Sequence, residues 1–464
     1  MFRRTIVILS ALAASVTNAL ANDLTQEQAR QELEQVQEFV LGRHPDPFWF
    51  NDESVWQERL GALRARTGDV SHVEQYFDLA SLLSLAMDTH VQIYPVNDTP
   101  GFERSYPLRF RLYEEGVFIT AADNPYRDWV GARVIAINGI SASTIVDEMQ
   151  GYAFSDHPER QRSWAVEHYL IHPATYSYFG WMNDEGGVEL SLEMFDGGNR
   201  QVVLDQTLDE SMDAVLRSGR SEGYYWPDGW RTLDDLTASP TPLSRQRLDE
   251  SFWYSDLNGG EVVYLQFNSS SHAEGEQSFL EFTIDVFEDI AARETPPSRI
   301  ILDIRANLGG WIGRSLPLPY LVQVSGICCE RGSVVLLTGR ETISAGSVFA
   351  GVTEIATRAV TIGEPTGGRP NIFLGHSGIT LPHSGLEPEA SSEVYYSTDT
   401  SDDRMAVFPD VVVRERFSDA AAGRDAALEA ALALSAETAT GFYPGDTPAR
   451  PWARPSQQSS NWAR

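Results

Sequence analysis

The first feature of this sequence that could do chemistry is a serine lying between an apolar run and a string of small residues. Ser333 to Leu337 is a β-branched apolar run. Gly339-Arg340-Glu341-Thr342-Ile343 then leads into Ser344, and Ala345-Gly346-Ser347-Val348-Phe349-Ala350-Gly351 reads as a helix start. In open α/β sheets reacting groups gather beyond the carboxyl ends of the strands, and the positive end of a helix favours developing negative charge. Ser344 is therefore a candidate nucleophile; a plain helix cap is the other reading of a serine at this position. A serine hydroxyl needs a base, and an oxyanion needs donors. Gly309-Gly310 follows another apolar run, Ile300 to Ile304, and can expose backbone N–H groups because no Cβ blocks approach, although such a pair is also an ordinary turn. His90, in Asp88-Thr89-His90 at an expected helix-to-strand corner, is a candidate base or a structural residue. His376 and His383 are further candidates. Asp303 and Arg305 read as structural, holding the strand end and the glycine loop.

Composition narrows the chemistry. All 35 basic residues are arginine, and there is no lysine. A neutral side-chain amine is thus excluded as base, and arginine cannot replace it because its pKa lies above about 12. The net charge of −31 argues against nucleic acid and anionic membrane surfaces as partners. No metal or cofactor is expected, since neither a His-x-x-x-His nor a cysteine cluster occurs. The two cysteines, Cys328 and Cys329, are adjacent and build no framework, which leaves buried thiols or a local vicinal bond.

The elements that must position these groups fall into blocks. Met1 to Ala21 reads as a secretory signal, with Arg3 and Arg4 ahead of a short apolar core and Ala19-Leu20-Ala21 at the cleavage site. No other stretch is long and apolar enough to cross a bilayer, so a periplasmic or secreted protein is expected. Residues 22–97 read as helical, with helices over Leu24 to about Arg43, Ser54 to Arg66 and Val73 to Met87, followed by a strand at Val91 to Tyr94. Residues 98–205 read as a small β-rich module with one or two helices. Residues 206–250 read as a linker, 251–440 as alternating strands and helices, and 441–464 as a frayed tail. The alternation predicts a mainly parallel sheet with right-handed crossovers, its helices including Gly313 to Val324 and Asp419 to Ser435. Shorter strands are expected at Ile379 to Leu381, Val394 to Tyr396 and Val411 to Val413.

Several of these stretches together carry a resemblance. Asp303-Ile304-Arg305-Ala306-Asn307-Leu308-Gly309-Gly310 looks like the Asp-Leu-Arg-x-Asn-x-Gly-Gly signature of the S41 peptidases, the tail-specific or C-terminal-processing proteases that also include the tricorn core protease. Thr342-Ile343-Ser344-Ala345-Gly346-Ser347 falls where that family carries its nucleophile. Gly363-Glu364-Pro365-Thr366-Gly367-Gly368 and Pro409-Asp410-Val411-Val412-Val413 resemble two further family elements. Gly131 to Gly139 resembles part of a degenerate PDZ-like module, and Asp88-Thr89-His90 resembles the Asp-x-His-Thr corner of the non-processing branches.

The resemblance implies an α/β fold with a ClpP/crotonase-like catalytic domain. It implies Ser344 as nucleophile, with Ala345 N–H and Gly309 or Gly310 as the oxyanion hole. The processing branch uses a lysine base shortly after the Gly-Glu-Pro-Thr element; here Arg369 stands there. The tricorn-like branch pairs its serine with a histidine and a glutamate. By that pattern His90 is the base and Asp402 or Asp403 the orienting acid, although a solvated Asp-Asp-Arg loop is the other reading. Arg369 is a candidate for binding a substrate carboxylate bidentately, or else an ion-pair partner of a residue such as Glu364.

The expectation is an exported serine-type peptidase acting on a peptide or protein substrate. The alternatives are an inactive S41-fold binding protein, prompted by the missing lysine, and a crotonase relative acting on acyl-thioesters. The export signal and the lack of a basic cluster for a CoA phosphate speak against the last.

Overall fold

The structure, a computed structural model, describes residues 23–93, 99–207, 229–271, 277–327 and 329–435. The expected signal segment, Tyr94, Cys328, residues 208–228 of the expected linker and the expected tail lie outside these residues.

The chain begins with three helices, α1 (Gln26–Arg43), α2 (Glu53–Arg64) and α3 (His72–Leu83). Thr25 with Gln28 and Ser71 with Glu74 close capping boxes at the starts of α1 and α3, satisfying backbone N–H groups that have no intrahelical acceptor. His44 and Pro45 end α1, because proline cannot continue the hydrogen-bond ladder. After α3 a short 3₁₀ turn ends at Met87, whose φ of 49° breaks the helical direction.

Seven strands then form one antiparallel sheet: β1 (Leu108–Tyr113), β2 (Gly116–Ala122), β3 (Arg133–Ile137), β4 (Ile140–Ser141), β5 (Val188–Glu193), β6 (Asn199–Leu204) and β7 (Arg231–Thr232). Their main order is β1-β2-β3-β5-β6, with β4 on β3 and β7 on β2. Between β4 and β5 lie α4 (Ala142–Met149), α5 (Pro158–Tyr169) and α6 (Pro173–Tyr178). One hydrophobic core serves both this sheet and the opening helices, running from Val36, Leu60 and Phe77 to Leu108, Ile119 and Leu190. The boundary expected near residue 97 therefore does not divide the core. The described part of the expected linker is not a free excursion either, since β7 pairs with Ala121 and Ala122 of β2.

The second sheet contains β8 (Phe252–Leu257), β9 (Val262–Phe267), β10 (Arg299–Asp303), β11 (Val334–Thr338), β12 (Val360–Gly363) and, after two small hairpin-like pairs, β17 (Val411–Val412). Those pairs are β13 (Ile372–Leu374) with β16 (Glu393–Tyr395), and β14 (Ser377–Gly378) with β15 (Glu389–Ala390). The sheet order is β17-β12-β11-β10-β9-β8, parallel except for the antiparallel edge strand β8. Both faces are covered, which is why the strands are continuous apolar runs. On β10, Ile300 and Leu302 join a core with Val286, Leu318 and Phe349, which come from α7 (Phe279–Ala291), from the segment after α8 (Ile312–Ser315) called α9 (Pro317–Val324), and from α10 (Ala345–Thr357). Ile301 faces the other way, toward Leu428 and Ala431.

Some elements differ from expectation. The helix expected over Gly313 to Val324 is interrupted at Leu316, ahead of Pro317, which has no N–H to donate. The helix expected over Asp419 to Ser435 is two, α11 (Phe417–Ala421) and α12 (Ala426–Ala433), parted at Gly423 with φ of 70°. In place of a strand at Val91 there is one bridge, Gln92 to Glu389. Ile379 to Leu381 forms none of the named strands; β14 lies just before it.

Candidate active site

Ser344 stands at the end of the loop from β11 and directly before α10. Its backbone has φ 52° and ψ −126°, a left-handed conformation that favours glycine, and its side chain caps nothing. A simple cap would accept a hydrogen bond from the first turn. This serine instead sits on a strained elbow, which costs on the order of 1–3 kcal/mol and turns Oγ away from the helix. Ser344→Gly is therefore expected to unfold later in urea than Ser344→Ala, by about 1 kcal/mol. A glycine variant less stable than the alanine one would show that the elbow is unstrained.

His90 Nε2 lies 3.0 Å from Ser344 Oγ, although the two residues are 254 positions apart. On the other side of the ring, Nδ1 is 3.5 Å from Asp88 Oδ1. Asp88 is buried, and three further donors hold it. His90 N–H donates to Oδ1 at 2.9 Å, His44 Nε2 to Oδ2 at 3.0 Å, and Ser391 Oγ to Oδ2 at 2.6 Å. Asp46 N–H donates to His44 Nδ1 at 3.1 Å, which makes Nδ1 the acceptor and leaves the proton on Nε2. Burial works against the charge on Asp88, but the hydrogen bonds from His44 and His90 outweigh it and hold the carboxyl far below its ordinary range. Burial also lowers His90, and the bond and charge of Asp88, with the charge of Asp156, more than reverse this, so the imidazole sits above its ordinary value.

The glycine loop lies against the serine. A Cβ on Gly309 would stand 2.6 Å from Ser344 Cβ and 3.0 Å from its Oγ, so only glycine fits. Gly309 N–H is already used, donating to Asn307 Oδ1 at 2.8 Å. Gly310 is different. Ser270 N–H donates to Gly309 O and Trp311 N–H to Ser270 O, so the bridge uses the groups on either side of Gly310 and leaves its own N–H pointing away from Ser270. Ala345 N–H belongs to the first residue of α10 and has no intrahelical acceptor. Asn307 ties the two segments together, since Ile343 N–H donates to its carbonyl at 3.1 Å. Behind them Arg305 forks between Asp303 and Asp425, bracing the strand end.

The other expected residues are placed elsewhere. Asp402 accepts from Arg404 Nε at 2.8 Å and from Thr398 Oγ1 at 2.9 Å, and Arg404 continues to Glu354. The carboxylate at His90 is Asp88, in place of the expected Asp402 or Asp403, and Asp402 is engaged by Arg404. Arg369 lies among aromatic rings. Its guanidinium packs over the Trp49 ring at 4.0 Å and the Phe373 ring at 4.8 Å, and the residue is 8% exposed. The ion-pair partner of Glu364 is Arg340, at 3.4 Å, not Arg369. His376 stacks on the outer face of His90, ring centres 5.2 Å apart, and His383 lies on α1 beside Gln31.

No family model and no curated protein matches this chain. Solved structures do. Mature CPAF complexed with lactacystin aligns at 12% identity with TM-score 0.53, over 85% of this chain and 95% of that one. A serine-to-alanine mutant of CPAF aligns at 12% identity with TM-score 0.55, over 85% and 94%. A putative S41 protease from Bacteroides fragilis aligns at 14% identity with TM-score 0.33, over 74% and 84%. Structural neighbours of this chain include S41-family proteases, and it shares the fold of CPAF: a mixed α/β architecture built on a largely parallel sheet.

Proposed function

We propose that this chain is an exported serine-type peptidase of the S41 kind that works through Ser344, His90 and Asp88, with no lysine. One observation carries the reading: the 3.0 Å contact between His90 Nε2 and the strained, uncapped Ser344. Oγ attacks the scissile carbonyl carbon while its proton passes to Nε2. The carbonyl oxygen, now negative, is received by the N–H groups of Gly310 and Ala345. Asp88 holds the Nδ1–H tautomer and stabilises the imidazolium. The C–N bond then breaks as Nε2–H protonates the departing amine, leaving an acyl-serine that water hydrolyses by the same route in reverse. Positioned base catalysis contributes about 10²–10⁴-fold, and each oxyanion donor a comparable factor. The antiparallel sheet with α4 and α5 takes the place of a PDZ-like module, and the substrate is a peptide or protein.

A fluorophosphonate probe tests this on the mature protein. Covalent labelling is expected in the wild type and is lost in Ser344→Ala. Its rate should rise with pH through a midpoint above the ordinary histidine value, because His90 acts as base only when neutral and its neighbours favour the charged ring. No labelling at any pH would instead favour a peptide-binding protein with this fold.

A further inference from the structure

A second buried carboxylate, Asp156, lies behind the base, and the triad does not use it. It belongs to the loop leading into α5 and is 3% exposed. Its two oxygens are divided between two other loops. Oδ1 accepts from Thr89 N–H at 2.9 Å, one residue from His90. Oδ2 accepts from Arg369 N–H at 2.9 Å, in the loop after β12 that backs the nucleophile. Ser155 reinforces the second attachment, its Oγ donating to Gly367 O at 2.9 Å. Gly368 fills the gap: a Cβ there would stand 2.7 Å from Ser347 Oγ, 3.2 Å from Asp156 Oδ2 and 3.3 Å from Ser344 N. One side chain thus fastens the corner that carries His90 to the wall behind Ser344.

We propose that Asp156 is a positioning residue for the hydrolase proposed above: it sets the distance between base and nucleophile through two backbone donors, and its negative charge strengthens His90 as a base. The charged groups facing it are Asp88, His90 and Arg369. His157, next in the chain, is lowered to about 4 by burial and stays neutral across the working range. Burial, and then the charge of Asp88, push the Asp156 carboxyl up to about 6, against the N–H groups of Arg369 and Thr89. A carboxyl raised in this way weakens the native state as pH rises from its unfolded value through about 6, because the folded chain must then give up a proton that the unfolded chain has already lost.

The inference rests on the hydrolase reading for its purpose but not for its test. The imidazole of His90 is titrated by NMR in the full mature chain, with histidine labelled and the signal assigned through His90→Gln. In Asp156→Asn the His90 midpoint is expected to fall by about one pH unit, since an opposing charge is lost. The rate of fluorophosphonate labelling at neutral pH should fall by about tenfold as the corner loosens. A folded Asp156→Asn protein whose His90 midpoint is unmoved overturns the proposal, whatever its labelling rate. If that variant does not fold, the wild-type titration decides. His90 should then show a second inflection near 6 from Asp156, and a single-step curve overturns the proposal. Because the ring titration needs no turnover, failure of Ser344 to label would sink the hydrolase reading alone.

Discussion

Asp88→Asn is expected to slow acylation of Ser344 by about 10³–10⁴-fold while leaving the chain folded. The carboxylate is placed to accept Nδ1–H, so that Nε2 faces Ser344 Oγ with its lone pair. An amide can turn its NH₂ toward Nδ1, which then becomes the acceptor. Nε2 carries the proton in that tautomer and cannot take another from the serine. The variant should also lose about 1–3 kcal/mol of stability, because His44 Nε2, Ser391 Oγ and His90 N–H all donate to Asp88 and an amide cannot accept all three. The pH dependence has a definite sign. The folded-state pKa of Asp88 is depressed, so its contribution is present above the unfolded carboxyl value and is lost only as pH falls toward the folded one. Single-turnover labelling kinetics and urea unfolding measure the two effects separately. A variant that labels within about tenfold of wild type would remove Asp88 from the mechanism.

Gly309→Ala should be nearly as damaging, for a steric reason. The added methyl would meet Ser344 Cβ at 2.6 Å and Ala345 N at 3.0 Å, and Gly309 has φ of 102°. Neither neighbour is the free end of a flexible chain, so backbone must move. The combined crowding and strain are expected to cost about 3 kcal/mol, read as an earlier urea midpoint with an unchanged slope. Displacing the elbow even slightly from its working geometry should lower the labelling rate by about 10²-fold or more. Gly310→Ala makes a useful contrast. Its Cβ would meet Ser271 N at 2.7 Å on the side of the loop away from the serine, so its damage should reach activity through the oxyanion donor. Equal labelling rates for Gly309→Ala and wild type would show that the glycine is not needed for the serine's approach.

The parts of this protein legible in its sequence are those governed by local rules. The helices of residues 26–83 follow from apolar spacing. The parallel strands β9 to β12 follow from apolar runs too continuous to leave a face in water. Ser344 was recognisable from its place between an apolar run and a helix start, and the glycine pair because only a residue without Cβ exposes its backbone to close approach. The absence of lysine excluded one base outright.

The tertiary structure decided which carboxylate lies against His90. Asp88 stands two residues before His90, where the local pattern shows only a helix ending. The left-handed turn at Met87 folds the carboxylate back onto the ring, and its other partners, His44 and Ser391, arrive from 44 and 303 positions away. Local spacing carries no trace of such a network; the family resemblance points instead to Asp402 or Asp403, and Asp402 is tied to Arg404. Arg369 shows the same limit. Its charge read as a site for a carboxylate, but its guanidinium packs against Trp49 and Phe373, and a ring arriving from 320 positions away leaves no local signature. What the sequence determined by itself was the set of groups able to react: a serine at a strand end, glycines beside it, a histidine and no amine. Only the packing of α1, the base corner and the strands around β12 decided which of them meet, because contacts across hundreds of residues are set by the shared core and not by any spacing along the chain.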